Sequence, residues 1–133
     1  MSPGAEWQYD HDVLRAKLEI LEGYLPQLDE LQCSALCLTN AIAASLRAHA
    51  EREEVFIGGL PVGRLHPDVQ ELRDEHTNQR MRLAVLHALL AERMPQAKEQ
   101  IVEQAAQFIA DLRAHMVKEA ALYEAAECVT GLA

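Results

Sequence analysis

The feature that most constrains the fold is a stripe of side chains in the last third of the chain. Ile101, Ala105, Phe108, Leu112, His115, Glu119, Leu122 and Ala126 follow one another at alternating four- and three-residue steps. That spacing lays side chains along one face of an α-helix and is the seam pattern of a helical bundle. A strand would alternate every second residue instead. The stripe is apolar except at His115 and Glu119, two groups that a packed interior does not hold without partners.

Similar steps recur upstream. A first helix is predicted over 10–25, with Asp10 as its N-cap and His11, Leu14, Leu18, Leu21 and Leu25 on one face, until Pro26 interrupts it. A second is predicted over 31–57, with Leu31, Ala35, Leu38, Ile42, Ser45, His49, Arg52 or Glu53, and Phe56 on its stripe. It stops at the glycine-rich segment from Gly58 to Gly63. A third, over 67–94, starts at Pro67 and carries Val69, Leu72, His76, Gln79, Leu83, Leu86 and Leu90. The fourth occupies 96–127, after Met94 and Pro95. No strand candidate survives, so the expected fold is all-α, an antiparallel up-down-up-down four-helix bundle with short connections.

Length and charge narrow the function. The 133 residues fit one domain, 1–133, large enough for a hydrophobic core. A formal charge of -9, with the basic residues scattered, disfavours nucleic acid and anionic membrane surfaces as partners. There is no apolar run of membrane-spanning length, and the residues from Met1 to Trp7 do not form a secretory signal, so a cytoplasmic location is expected. Cys33, Cys37 and Cys128 lack metal-ligand spacing and are expected to be reduced; Cys33 and Cys37 are read as core-facing.

The chemistry sits where polar residues interrupt the stripes. His49 with Glu53, and His115 with Glu119, repeat one arrangement: a glutamate one turn beyond a histidine on the same face. In an antiparallel pair, residues at one level lie equally far from the turn. The midpoint of His11 and His49 is position 30, that of His49 and His76 falls between 62 and 63, and that of His76 and His115 falls between 95 and 96. All three lie on or beside an expected connection. The four histidines should therefore share a layer, with each glutamate about 6 Å further along the axis. Four imidazoles and two carboxylates suit iron, manganese or zinc, and facing helices of a bundle commonly build dinuclear sites from such groups. Two glutamates between histidine pairs could bridge two ions.

In this pattern the chain resembles the haemerythrin-like, or HHE cation-binding, domains. Their signature is a lone histidine, a His-x-x-x-Glu, another histidine and a final His-x-x-x-Glu, matched here by His11, His49 and Glu53, His76, and His115 and Glu119. The resemblance spans roughly Tyr9 to Glu127. It implies those six residues as metal ligands and two iron ions as cofactor, oxo- or hydroxo-bridged, ahead of manganese or zinc. It also implies a small diatomic ligand or peroxide as partner, together with a possible protein redox or regulatory partner. Oxygen-carrying haemerythrins have a further histidine where this chain has Arg80, and end with an aspartate five residues past the last histidine. The four-histidine, two-glutamate set is similar to iron-sulfur-cluster repair di-iron proteins and to the iron-sensing domain of a eukaryotic ubiquitin ligase. The resemblance thus implies binding of, or reaction with, O2, NO or peroxide, in sensing, detoxification or iron handling. Catalytic consumption of peroxide or NO, iron donation to cluster repair, and a metal-free helical interaction module stand as alternatives.

The remaining candidates are read more plainly. His66 and His87 are expected to be structural or exposed, and Glu51, Glu54 and Glu75 to point off the stripes. Arg80, one turn from His76, is a candidate partner for a ligand carboxylate or a bound anion. Tyr123 would pack the bundle end or line the same pocket.

Overall fold

The computed structural model describes residues 3–59, 67–92 and 97–130. Four helices carry the chain: α1 (Pro3–Tyr24), α2 (Leu28–Gly58), α3 (Pro67–Glu92) and α4 (Lys98–Thr130), with a short 3-10 turn at Leu25–Gln27 between the first two. Among the described residues there is no strand. Each helix packs on the next in chain order, and α1 also packs on α4, closing a ring of four.

Cross-helix pairs show the direction of each packing. Asp10 meets Arg52 while Lys17 reaches the carbonyl of Ala41, so α1 and α2 run oppositely. Arg73 bonds Glu54 while Gln32 bonds the carbonyl of Leu90, which sets α3 against α2. Lys118 meets Glu71 and Arg82 meets Asp111 between α3 and α4; His11 meets Glu119 and Arg113 meets Glu22 between α4 and α1. The exposed pairs among these add little stability.

Pro26 falls where expected, in the 3-10 turn that separates α1 from α2. α1 starts earlier than predicted, at Pro3 rather than Asp10. A proline at the first helical position has no N–H to leave unpaired, and the carboxylate of Asp10 caps nothing because Arg52 and His49 hold it. α2 begins at Leu28 but bends at Leu31, whose φ of -111° and ψ of 15° are non-helical. α4 runs from Lys98 to Thr130 rather than 96–127. The predicted end of the third helix at 94, the connection at Pro95, the glycine segment beyond Gly59, and His66 lie outside the described residues.

Val69, Leu72, Leu83, Leu86 and Leu90 of the α3 stripe and Ile101, Ala105, Phe108 and Leu112 of the α4 stripe are buried as read, whereas Leu122 is half-buried with Tyr123 buried beside it, and the side chain of Ala126 lies outside the described residues. On α1, Leu14, Leu18 and Leu21 are buried. On α2 the buried set is Leu28, Ala35, Thr39, Ile42, Leu46, His49, Glu53 and Ile57, so Leu28, Thr39, Leu46 and Ile57 replace the expected Leu31, Leu38, Ser45 and Phe56. The structure corrects the reading of Cys33 and Cys37: both are exposed, because the buried face of α2 runs through Ala35 and Thr39 on the opposite side of the helix. Each fully buried leucine contributes roughly 1.5–3 kcal/mol of transfer free energy.

The bundle is therefore layered along its axis. The leucine-rich core fills one part, the histidines and glutamates follow, and the rings of Trp7, Tyr123 and Phe56 stack beyond them. Tyr123 lies between the other two, at centroid distances of 4.9 and 4.6 Å. No described helix is long and apolar enough to cross a membrane.

Candidate metal centre

Each helix of the ring contributes one histidine to the polar layer: His11 from α1, His49 from α2, His76 from α3 and His115 from α4. Their rings neighbour one another in order, with centroids 4.9 Å apart for His11 and His49, 6.2 Å for His49 and His76, and 4.8 Å for His76 and His115. Glu119, fully buried, is the hub. Its carboxylate lies 3.1 Å from His11 Nε2, 3.2 Å from His49 Nε2, 3.6 Å from His76 Nε2 and 3.0 Å from His115 Nε2. Glu53 lies 3.1 Å from His49 Nε2 and 3.7 Å from His76 Nε2. All six residues singled out in the sequence thus meet in one cluster. Within it, one ligand atom each from His49, Glu53, His76 and Glu119 lie within 4.8 Å of one another, close enough to hold a single ion.

The ring nitrogens are sorted by direction. A carboxylate can only accept, so His49 Nδ1–H donates outward to Asp10 at 3.2 Å and His115 Nδ1–H donates outward to Glu75 at 3.3 Å. This fixes ring orientation and raises the basicity of the inward Nε2, as carboxylates do behind metal-bound imidazoles. Inside the cluster, His76 Nε2, His115 Nε2 and Glu53 Oε2 are buried without a hydrogen-bond partner despite the nearby oxygens. Orphaned buried donors and acceptors are rare because each carries its full desolvation penalty. Inward lone pairs close to carboxylate oxygens, yet misaligned for hydrogen bonds, fit a metal ion bound among them.

Protonation agrees. Burial, reinforced by the neighbouring His115 and His49, lowers the pKa of His76 to about 3. Burial likewise lowers His115 to about 4 against the opposing pull of Glu75. Both are neutral near pH 7, as a nitrogen ligand must be. His49 differs: burial lowers its pKa, but hydrogen bonds to Glu119 and Asp10 outweigh that and leave it raised. An ion bound at its Nε2 would displace that proton.

Asp10 and Glu75 are the site residues the sequence reading missed. Asp10 was expected to cap a helix and Glu75 to point off the stripe. Asp10 instead bonds both His49 and Arg52, with burial opposing but these partners holding its pKa below the carboxylate norm. Glu75 bonds Lys118 at 2.9 Å as well as His115. The turn arithmetic contained the signal: the midpoint of 10 and 49 lies between 29 and 30, just past the first turn, and that of 75 and 115 is position 95.

Arg80 is exposed and reaches Thr77, and its positive charge adds to the lowering of the His76 pKa. His87 is a structural partner of Thr39, at 3.0 Å. Tyr123 does both things considered for it, stacking in the aromatic layer and lining a small cavity against His49 and Glu53; burial raises its pKa.

No curated protein and no solved structure matches the chain. The family description Hemerythrin HHE cation binding domain matches residues 2–126, all but a few residues of the sequence. A helical bundle with a buried histidine and glutamate cluster on facing helices fits a cation-binding domain, and the chain belongs to the haemerythrin HHE cation-binding domain family.

Proposed function

We propose that the protein is a non-haem di-iron protein that binds or reacts with a small ligand, O2, NO or peroxide, in sensing, detoxification or iron handling. His11, His49, His76 and His115 serve as terminal nitrogen ligands, and Glu53 and Glu119 as carboxylates shared between two ions. The observation that carries this reading is Glu119, whose two oxygens approach imidazoles from all four helices at 3.0–3.6 Å. A thiolate-free nitrogen and oxygen set favours iron or manganese over soft metals. A pair of such ions, when bound, supplies electrons and open coordination positions to a small molecule.

The chain's own residues support the rest. Asp10 and Glu75 orient two of the imidazoles, and the stacked rings of Trp7, Tyr123 and Phe56 lie between part of the cluster and solvent. A cavity of about 30 Å3 touches His49 and Glu53 beneath those rings. It has room for one or two water-sized molecules, which suits a diatomic or peroxide.

The test is absorption spectroscopy of iron-loaded protein, with NO added to the anaerobically reduced form and azide or peroxide added to the oxidised form. The reading expects ligand-dependent bands in the wild type and their loss in Glu119→Gln. An iron-loaded protein whose spectrum ignores all three ligands would sink it. Consumption of peroxide or NO over many turnovers would identify an enzyme, and reversible spectra a sensor.

A further inference from the structure

Two cavities meet at one ion pair. The inner one is the 30 Å3 space between the aromatic rings and the His49 and Glu53 edge of the cluster. The outer one is a groove of about 290 Å3 between α1 and α2, bounded by Ala44 and Ala48 on one helix and by Tyr9 and Val13 on the other. Asp10 and Arg52 line both. Arg52 grips Asp10 through two hydrogen bonds, one of them Nε to Oδ2 at 2.8 Å. The two partners differ in freedom: the Arg52 side chain is 48% exposed and that of Asp10 only 7%. Arg52 can therefore swing into solvent without disturbing the core, whereas Asp10 remains fixed against His49.

We propose that the Asp10–Arg52 pair closes the route by which divalent cations enter and leave the metal centre from the groove between α1 and α2. The inference rests on the cluster being a metal centre. The charges select the passenger. Arg52 stands among Glu6, Glu51 and Asp10, with Glu53 beyond, on a chain of net charge -9. Such surroundings attract cations and repel anions. When Arg52 swings away, Asp10 presents carboxylate oxygens halfway between the groove and His49, and hard divalent ions bind such oxygens. Arg52 returning to Asp10 restores the barrier.

A gate changes the rates in both directions and leaves the equilibrium nearly unchanged. The sole tryptophan, Trp7, whose ring lies 4.2 Å from that of His11, reports arrival of a quenching ion. Stopped-flow mixing of metal-free full-length protein with Co(II) gives the loading rate, and mixing of the loaded protein with excess chelator gives the release rate. Arg52→Gln, which removes the grip on Asp10, is expected to speed both by about tenfold. Ala44→Phe, which fills the groove without touching a ligand residue, is expected to slow both several-fold, with the same final stoichiometry. Loading and release rates that match wild type in both variants would overturn the route, as would an Arg52→Gln variant with tighter binding but unchanged release. A wild type that takes up no Co(II) would overturn the metal centre itself, and the route with it.

Discussion

Lowering the pH should destabilise the metal-free protein well before its carboxylates titrate. In the unfolded chain His76 and His115 take up protons near 6.5, whereas in the fold they do so only near 3 and 4. Between those values the unfolded state binds more protons, so stability falls as pH falls. At pH 5 each histidine lies about 1.5 pH units below its unfolded pKa, which corresponds to a loss of about 2 kcal/mol each relative to pH 8. His49, with its pKa raised, runs the other way and offsets part of the loss. The net should be on the order of 2–4 kcal/mol, a large share of a small domain's stability. Asp10 and Glu75, whose pKa values are lowered by their partners, add their loss only at lower pH, as they protonate. Urea unfolding of chelator-stripped protein, followed by far-UV circular dichroism at pH 8, 6.5 and 5, measures this directly. His76→Gln should remove at least half of the slope. A midpoint that stays constant or rises towards pH 5 would refute the argument that burial holds these imidazoles neutral.

Other outcomes follow from the same geometry. Asp10→Asn and Glu75→Gln remove the carboxylates behind His49 and His115 and should each weaken metal binding by about 10–100-fold while the helical content is kept; chelator competition checks this, and unchanged affinity would show those contacts to be incidental. Leu86→Ala empties a fully buried core position and should lower stability by about 2–5 kcal/mol, whereas Arg113→Ala, which breaks only the exposed pair with Glu22, should change it by less than about 1 kcal/mol. Denaturant titration separates the two.

Much of this architecture was legible in the sequence because α3 and α4 carry one clean stripe each. Between Val69 and Leu90, and between Ile101 and Leu112, three- and four-residue steps pick out the buried apolar positions even though Met81 and Val85 are apolar and exposed, so period rather than composition gives the buried face. α2 is less legible: Leu36, Leu38, Ala41, Ala43 and Ala44 flank the true face on both sides, and the bend at Leu31 shifts its phase. The stripe was consequently read one residue off at Thr39, Leu46 and Ile57, and Cys33 and Cys37 were turned inward when they face solvent. At the cluster, the inward-facing residues stood out because histidine and glutamate are out of place on a core stripe. Asp10 and Glu75 did not, because each sits beside a stripe, where an acidic residue has an ordinary local role. Their partners, His49 and His115, are assembled only by the bundle.

Metal content is the sharpest test of whether this cluster holds two iron ions. Protein expressed with adequate iron and purified without a metal-affinity tag should carry about two irons per chain by mass spectrometry, and Glu119→Gln should lose them while remaining helical. A wild-type protein with the same helical fold and no stoichiometric metal, before or after anaerobic reconstitution with Fe(II), would contradict the account.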